Sequence, residues 1–392
     1  MDPLKPGTGS REPGTGSREP GTGSREPGNG SPVPGAGKAV DVLELARQLI
    51  DIESTTGNEG AVAHFLAGYL RDRGYSVLEQ PLDMVRLKAD STGTPNQAPV
   101  ESGFSRTTRI NVIAAVGEPE VVFSTHFDCV PPFFPSRVED GKLFGRGACD
   151  AKGILAAQIA SAERLRAKGE TRVGLVFVAG EERGSDGAKA ANKIASQARY
   201  LINGEPTDLR LGVATRGCYR VKLTAAGKAA HSGYPELGES AIEKLLDGLM
   251  ALRSADWPTD PVLGTTHYTV GLINGGVAPN VIPPNAEAEV FFRTVGGHEP
   301  VRAELHRALG GRLGIQEILE LPAVRMHTVP GFDTAAFSYF SDVPFLSNWG
   351  TPLLIGPGSI HVAHTDREHL AIDELTRAVD VYATLATSLL AS

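Results

Sequence analysis

The segment Glu120–Pro131, "EVVFSTHFDCVP", sets the apolar run Val121–Val122–Phe123 just ahead of a histidine and an aspartate. Val and Phe in succession have the character of a strand covered on both faces. His126 and Asp128 fall where that strand must end, and burying them costs free energy unless something polar or charged satisfies them. The same arrangement recurs in "INVIAAVG" from Ile110, "VGLVFVAG" from Val173 and "RYLINGEP" from Arg199. A long helical pattern, "AKGILAAQIASAERLRAKG", precedes the Val173 run. Apolar strands alternating with helices predict an α/β fold: a mainly parallel sheet covered by helices. Ligands in such sheets bind beyond the carboxyl ends of the strands.

Outward from this core, Asp41 is placed to cap a helix carrying Leu43, Ala46, Leu49 and Ile50 at helical spacing, and a second helix is predicted over Glu59–Arg73 with Gly74 as its stop. After Leu211 the texture changes to one-sided strands and amphipathic helices: "YRVKLTAAG", "SAIEKLLDGLMALRSA", "THYTVGLING", "AEAEVFFRTVG", "EPVRAELHRALGG" and "EILELPA". This βαββαβ order predicts a small two-layer domain inserted into the first. The sheet resumes with "TPLLIGPG" and closes on the helix "AIDELTRAVDVYATLATSLL". The expected division is therefore a larger domain over 39–210 and 322–392, interrupted by an inserted domain over 211–321. Residues 1–38 hold three successive copies of "PGTGSRE". They are too rich in Gly, Pro and Ser to bury a core, and disorder is expected there.

The chain has 392 residues, 41% of them hydrophobic and 21% charged, with a formal net charge of -8. No basic block tracks phosphates and no apolar run spans a bilayer, so neither nucleic acid nor membrane is an expected partner. Cys129, Cys149 and Cys218 are too few and scattered for a disulfide framework, and no basic and apolar leader opens the sequence. A cytoplasmic setting is expected.

Five strand-to-loop junctions deliver an acid or an imidazole to one sheet edge: His126 with Asp128, Asp150 in "FGRGACDAKG", Glu181 with Glu182, Glu205, and His361 with His364. Taken singly, His361 reads as a surface residue, "EE" as a solvated turn and Asp150 as a helix cap. Together, such buried anions repel one another unless cations neutralise them. Oxygen and imidazole ligands without thiolate suit zinc, with Mn²⁺ or Co²⁺ as substitutes. Asp150, in the middle of the set, is the expected bridge between two ions. Asp128 is expected to orient His126 from behind, Glu182 to be a ligand, and Glu181 to be the general base. Either histidine of the last junction could complete the set.

At these residues the chain resembles the co-catalytic zinc amidohydrolase and peptidase family that includes acetylornithine deacetylase, succinyl-diaminopimelate desuccinylase, aminoacylase and glutamate carboxypeptidase. The matching pieces are "STHFDCVPP", "GKLFGRGACDAKG", "VAGEERGS", "NGEPTD", "AHSGYPELGESAI", "NGGVAPNVIPPNAEAEVFFRT" and "GPGSIHVAHT", in the family's order over nearly everything after Val40. The resemblance implies His126, Asp150, Glu182, Glu205 and His364 as ligands of two Zn²⁺, with Glu181 as base and Asp128 behind His126. It further implies that the inserted domain is a lid and homodimer surface, that His231 stabilises an oxyanion in a neighbouring subunit, and that Asn280 and Arg293 grip a substrate carboxylate. The reaction expected is hydrolysis of an N-acyl amino acid by a deacetylase of the acetylornithine, acetyl-lysine or acetyl-citrulline type. A desuccinylase, a dipeptidase or a carboxypeptidase is the alternative. Two rivals are weaker. A cysteine hydrolase built on Cys129 or Cys149 leaves the acids unexplained, and a non-catalytic binder leaves Glu181 without a purpose.

Overall fold

The computed structural model describes residues 39–82 and 109–392. The tail over 1–38 lies outside the described residues. The central sheet has six strands in the order Ser76–Pro81, Ile110–Ala115, Val173–Val178, Val121–His126, Tyr200–Asn203 and Thr351–Leu354. The last four run parallel. The first two add an antiparallel edge.

The strands Val121–His126 and Val173–Val178 are buried at every position. The period-2 pleat explains their unbroken apolar character. Phe123, Leu175 and Ile202 face one helical layer, which contains Leu45, Leu66, Ile154 and Tyr382. Val122, Val176 and Leu201 face the other side, against Ala188, Leu346 and Trp349. The Tyr382 ring packs 5.4 Å from the Phe123 ring, and its hydroxyl donates to the Ile355 carbonyl at 2.6 Å. Asp41 caps the helix Val42–Asp51 by accepting the Glu44 N–H. The next helix spans Gly60–Arg71, and Gly74 follows it at φ +81°.

A second, wholly antiparallel sheet has the order His267–Gly275, Asn285–Thr294, Gly217–Ala226 and Gly314–Leu321. The helices Ala241–Arg253 and Glu299–Leu309 pack on one face of it, giving the order βαββαβ. The first of these helices is capped by Ser240, which accepts the Glu243 N–H. Along Asn285–Thr294, Ala286, Ala288, Val290 and Phe292 face the helices. The pleat therefore turns Phe291 and Arg293 to the other side. The sequence places 211–215 with this inserted unit. In the structure Leu211–Thr215 pairs with Val324–Arg325 and Thr334–Phe337 in a separate three-stranded sheet.

Phe123→Ala should cost ~3–5 kcal/mol of stability, because the ring is fully buried against the helical layer of Leu45 and Leu66 and against the Tyr382 ring. Leu78→Ala, at a side chain 50% exposed, should stay within about 0.5 kcal/mol. Urea denaturation of the two variants checks the contrast, and equal losses would contradict this account of the core.

Candidate metal centre

His126 is the last residue of its strand. Glu181 and Glu182 open a short turn after Val178, and Glu205 lies two residues beyond Asn203. Asp150 stands immediately before Ala151, the N-cap of the helix Lys152–Ala167, and no side chain caps that helix. Asp150 is thus free of the capping role its position suggests. Gly180, at φ +80°, starts the Glu181 turn, and a Cβ there would collide with Asp186 and Arg109. Arg109 in turn pairs with Glu59 and Asp186.

His126, Asp150 and Glu182 each place one ligand atom within 4.8 Å of the others. The two oxygens of Asp150 face different histidines, Oδ1 at 3.0 Å from His126 Nε2 and Oδ2 at 3.2 Å from His364 Nε2. His364 Nε2 also lies 3.0 Å from Glu182 Oε1. The His364 backbone adopts φ +62°, a left-handed conformation uncommon outside glycine. His361, three residues earlier, is exposed and is not part of this cluster.

Asp128 stands behind His126 and also reaches the turn that carries the two glutamates. His126 Nδ1 lies 3.0 Å from the Asp128 backbone carbonyl and 3.5 Å from its carboxylate. The carboxylate instead accepts the N–H groups of Glu181 at 3.0 Å and Glu182 at 3.2 Å, and the Thr56 hydroxyl at 2.8 Å. One buried residue thereby orients the His126 ring and fixes the turn that carries both glutamates.

Asp150, Glu181, Glu182 and Glu205 line a cavity of about 230 Å³ together with His364 and Arg293. Burial, joined by mutual repulsion, pushes the carboxyls of Glu181 and Glu205 well above their usual range. Burial opposes protonation of His126, yet its bonds to Asp128 and Asp150 outweigh this and raise its pKa well above the ordinary value. Hydrogen bonds to Asp150 and Glu182 raise His364 to about 10. The cluster draws positive charge onto any group able to carry it. One buried oxygen, Glu205 Oε1, has no hydrogen-bond partner. Divalent ions held by carboxylates and imidazoles would answer both features, so these residues fit such a metal.

Arg293 projects into the same cavity, its guanidinium 4.8 Å from the Phe291 ring centroid and 5.8 Å from that of Phe340. Its Nη1 is buried without a partner. His231 and Asn280 are not among the residues lining the cavity. They lie beside each other, the Ser232 N–H donating to the Asn280 carbonyl at 3.0 Å. The thiols of Cys129 and Cys149 are buried, and burial pushes Cys129 up to about 12 and Cys149 well above its ordinary value. Neither is fit to be a nucleophile at neutral pH. Sequence reasoning missed Tyr339, Phe340 and Ile360, which form the apolar wall of the cavity. It also missed Asp342, whose buried carboxyl is raised to about 7 by desolvation. The stretch "SYFSD" has no periodicity that would single out Tyr339, Phe340 or Asp342.

The family model of peptidase family M20/M25/M40 matches residues 122–388. The chain belongs to this family. It is 35% identical to a peptidase M20 domain-containing protein of Schizosaccharomyces pombe over 352 residues, which cover 87% of this chain and 83% of that one. It is likewise 35% identical to a probable carboxypeptidase of Aspergillus fumigatus over 383 residues, covering 88% and 86%. Its fold matches that of a Bacillus subtilis dinuclear metal-binding M20 peptidase with a TM-score of 0.65 at 17% identity, covering 89% and 97%. The M20 chain is a metal-dependent hydrolase of amide bonds.

A pH dependence follows for this M20 enzyme. Protonated His364 stabilises the chelated protein below its ordinary pKa of 6.5, and that contribution is lost as pH rises through about 10. A metal held at this cluster would compete with the same protons. The gap in melting temperature between zinc-loaded and chelated protein should therefore widen above pH 6.5. Thermal scans across pH check this, and a gap that narrows would contradict it.

Proposed function

We propose that the protein hydrolyses the amide bond next to a residue with a free carboxylate, as a carboxypeptidase or dipeptidase. The carrying observation is Arg293, a cation with a buried, unpartnered Nη1 in the same cavity as the acid and histidine cluster. A guanidinium fork matches a carboxylate. The relatives' names, probable carboxypeptidase among them, point the same way.

In this reading His126, Asp150, Glu182, Glu205 and His364 would hold two zinc ions. When bound, such ions polarise the scissile carbonyl and bring the pKa of a water toward ~7. Glu181, whose burial makes its carboxylate a stronger base than that of an exposed glutamate, would take a proton from the attacking water and hand it to the departing nitrogen. Asp128 keeps Glu181 aimed by holding its N–H. Arg293 fixes the substrate carboxylate, and Phe340 with Ile360 shields the bond from bulk solvent.

His231 is exposed, and its oxyanion role fits delivery from a second copy of the chain. The strand His267–Gly275 forms an edge of its sheet, with Val270, Leu272 and Ile273 exposed on it. Leu246 and Met250 are exposed on the helix Ala241–Arg253. We propose that these surfaces pair in a homodimer, with Asn280 beside His231 assisting the substrate carboxylate.

Deacetylation of an N-acyl amino acid, of the acetylornithine type, is the second reading, because the same carboxylate recognition serves it. Zinc-loaded protein should release amine from dipeptides and not from their C-terminal amides. A panel with N-acetyl-ornithine, N-acetyl-lysine, N-acetyl-citrulline and N-succinyl-diaminopimelate separates the two readings. Equal turnover of amidated substrates would remove Arg293 from its role. Glu181→Gln should lower kcat roughly 10²- to 10⁴-fold with zinc content unchanged. Arg293→Met should raise KM about 10- to 100-fold.

A further inference from the structure

Behind the cavity lies a buried ion pair that takes no part in the chemistry described above. Arg146 and Glu368 are 3% and 0% exposed, and their charged groups are 2.7 Å apart. Glu368 Oε1 accepts three backbone N–H groups of the Asp150 loop, those of Gly147 at 3.0 Å, Cys149 at 3.2 Å and Asp150 itself at 3.1 Å. Its Oε2 accepts the Arg146 guanidinium. Gly145 and Gly147 have φ of +150° and +91°, and this backbone lets successive N–H groups converge on a single anion.

The pair also reaches two further segments. Glu368 stands four residues after His364, and the strand His369–Ala371 that follows it pairs with Lys142–Phe144, just ahead of the Asp150 loop. Arg146 Nε donates to the Pro132 carbonyl at 3.2 Å, and the Arg146 backbone N–H donates to that of Phe134 at 3.1 Å. Its guanidinium lies over the Phe134 ring at 5.1 Å. One ion pair thus touches the loop after His126, the loop holding Asp150 and the loop holding His364.

We infer that the Arg146–Glu368 pair positions the metal centre, setting the distance between Asp150 and His364 and tying the aromatic loop Pro131–Ser136 to both. The inference rests on the reading of His126, Asp150 and His364 as ligands. From Gly145 to Ala151 the loop forms turns and no strand or helix, and the N–H groups of Gly147, Cys149 and Asp150 take their direction from the Glu368 carboxylate. Without that carboxylate Asp150 would lose the orientation that lets its two oxygens face two histidines. Glu368 and Arg146 are positioning residues, since neither lines the cavity.

Calorimetric titration of the chelated full-length protein with zinc tests this, together with the visible absorption of its cobalt-loaded form. The variants are E368D, which keeps the charge and withdraws it from the N–H groups, and E368Q, which keeps an accepting oxygen and loses the charge facing Arg146. Glu163→Gln is the matched control, since Glu163 forms a buried 2.8 Å pair with Arg166 away from the three loops. E368D should weaken zinc binding about 10- to 100-fold and alter the cobalt spectrum, with E368Q between it and the parent. E163Q should lower the melting temperature and leave the zinc Kd unchanged. If E368D and E368Q bind zinc as the parent does and only melt earlier, as E163Q does, the positioning role is overturned. Should both fail to fold, the double variant R146M/E368Q, which removes both charges together, is read by the same criteria. A parent protein that binds no zinc would instead overturn the ligand reading, a result distinct from unchanged affinity in the variants.

Discussion

Mutual repulsion among buried carboxylates is the constraint on which this molecule is organised. Asp150, Glu181, Glu182 and Glu205 share a cavity of about 230 Å³, and the carboxyl of Asp342 is buried behind them. Such a group of anions is tolerated only where positive charge is supplied, by protons on His126 and His364 or by divalent ions in their place. The surrounding architecture resists the tendency of these groups to move apart. Asp128 holds the Glu181 turn through two N–H groups, and Arg109 braces the same turn from outside through Glu59 and Asp186.

The sheet makes that concentration of charge possible. Parallel strands covered on both faces leave their carboxyl ends as the place where polar side chains can converge. His126 and Val178 stand side by side in register at that edge, so His126 and the Glu181 turn emerge together. The second sheet contributes through its pleat. Phe292 goes into the core beneath the helices, and Arg293 comes out on the opposite face, toward the acids. The Phe291 and Phe340 rings flank its guanidinium, so the cation meets the cavity in an apolar setting, where the proposed contact with an anionic substrate would be strengthened.

Much of this was legible in the linear chain. The apolar runs, the alternation with helices and the βαββαβ order after Gly217 are consequences of local patterning, and patterning is a sequence property. His126, Glu182 and Glu205 were legible because each follows an apolar strand, whereas Asp150 stands just ahead of a helix. The choice between His361 and His364 was open to residue-level reasoning, since both lie in one loop three residues apart. Asp128 illustrates a different loss. Its proximity to His126 suggests a side-chain bond to the ring, whereas the closer contact is through its backbone carbonyl and the carboxylate turns to a loop more than fifty residues away. Tyr339, Phe340 and Asp342 were invisible because they lie in an aperiodic stretch whose value comes only from what it packs against.

By itself the sequence determined the fold class, the residue types of the metal centre and their placement at strand ends, because hydrophobic periodicity and turn chemistry act over a few neighbouring positions. The tertiary structure decided which oxygen faces which histidine, which residues close the cavity around Arg293, and how Glu368 comes to gather the backbone of a loop more than two hundred residues away. Those features depend on distances between segments remote in the chain, and such distances are set only when the sheet, its helices and the second sheet are packed together.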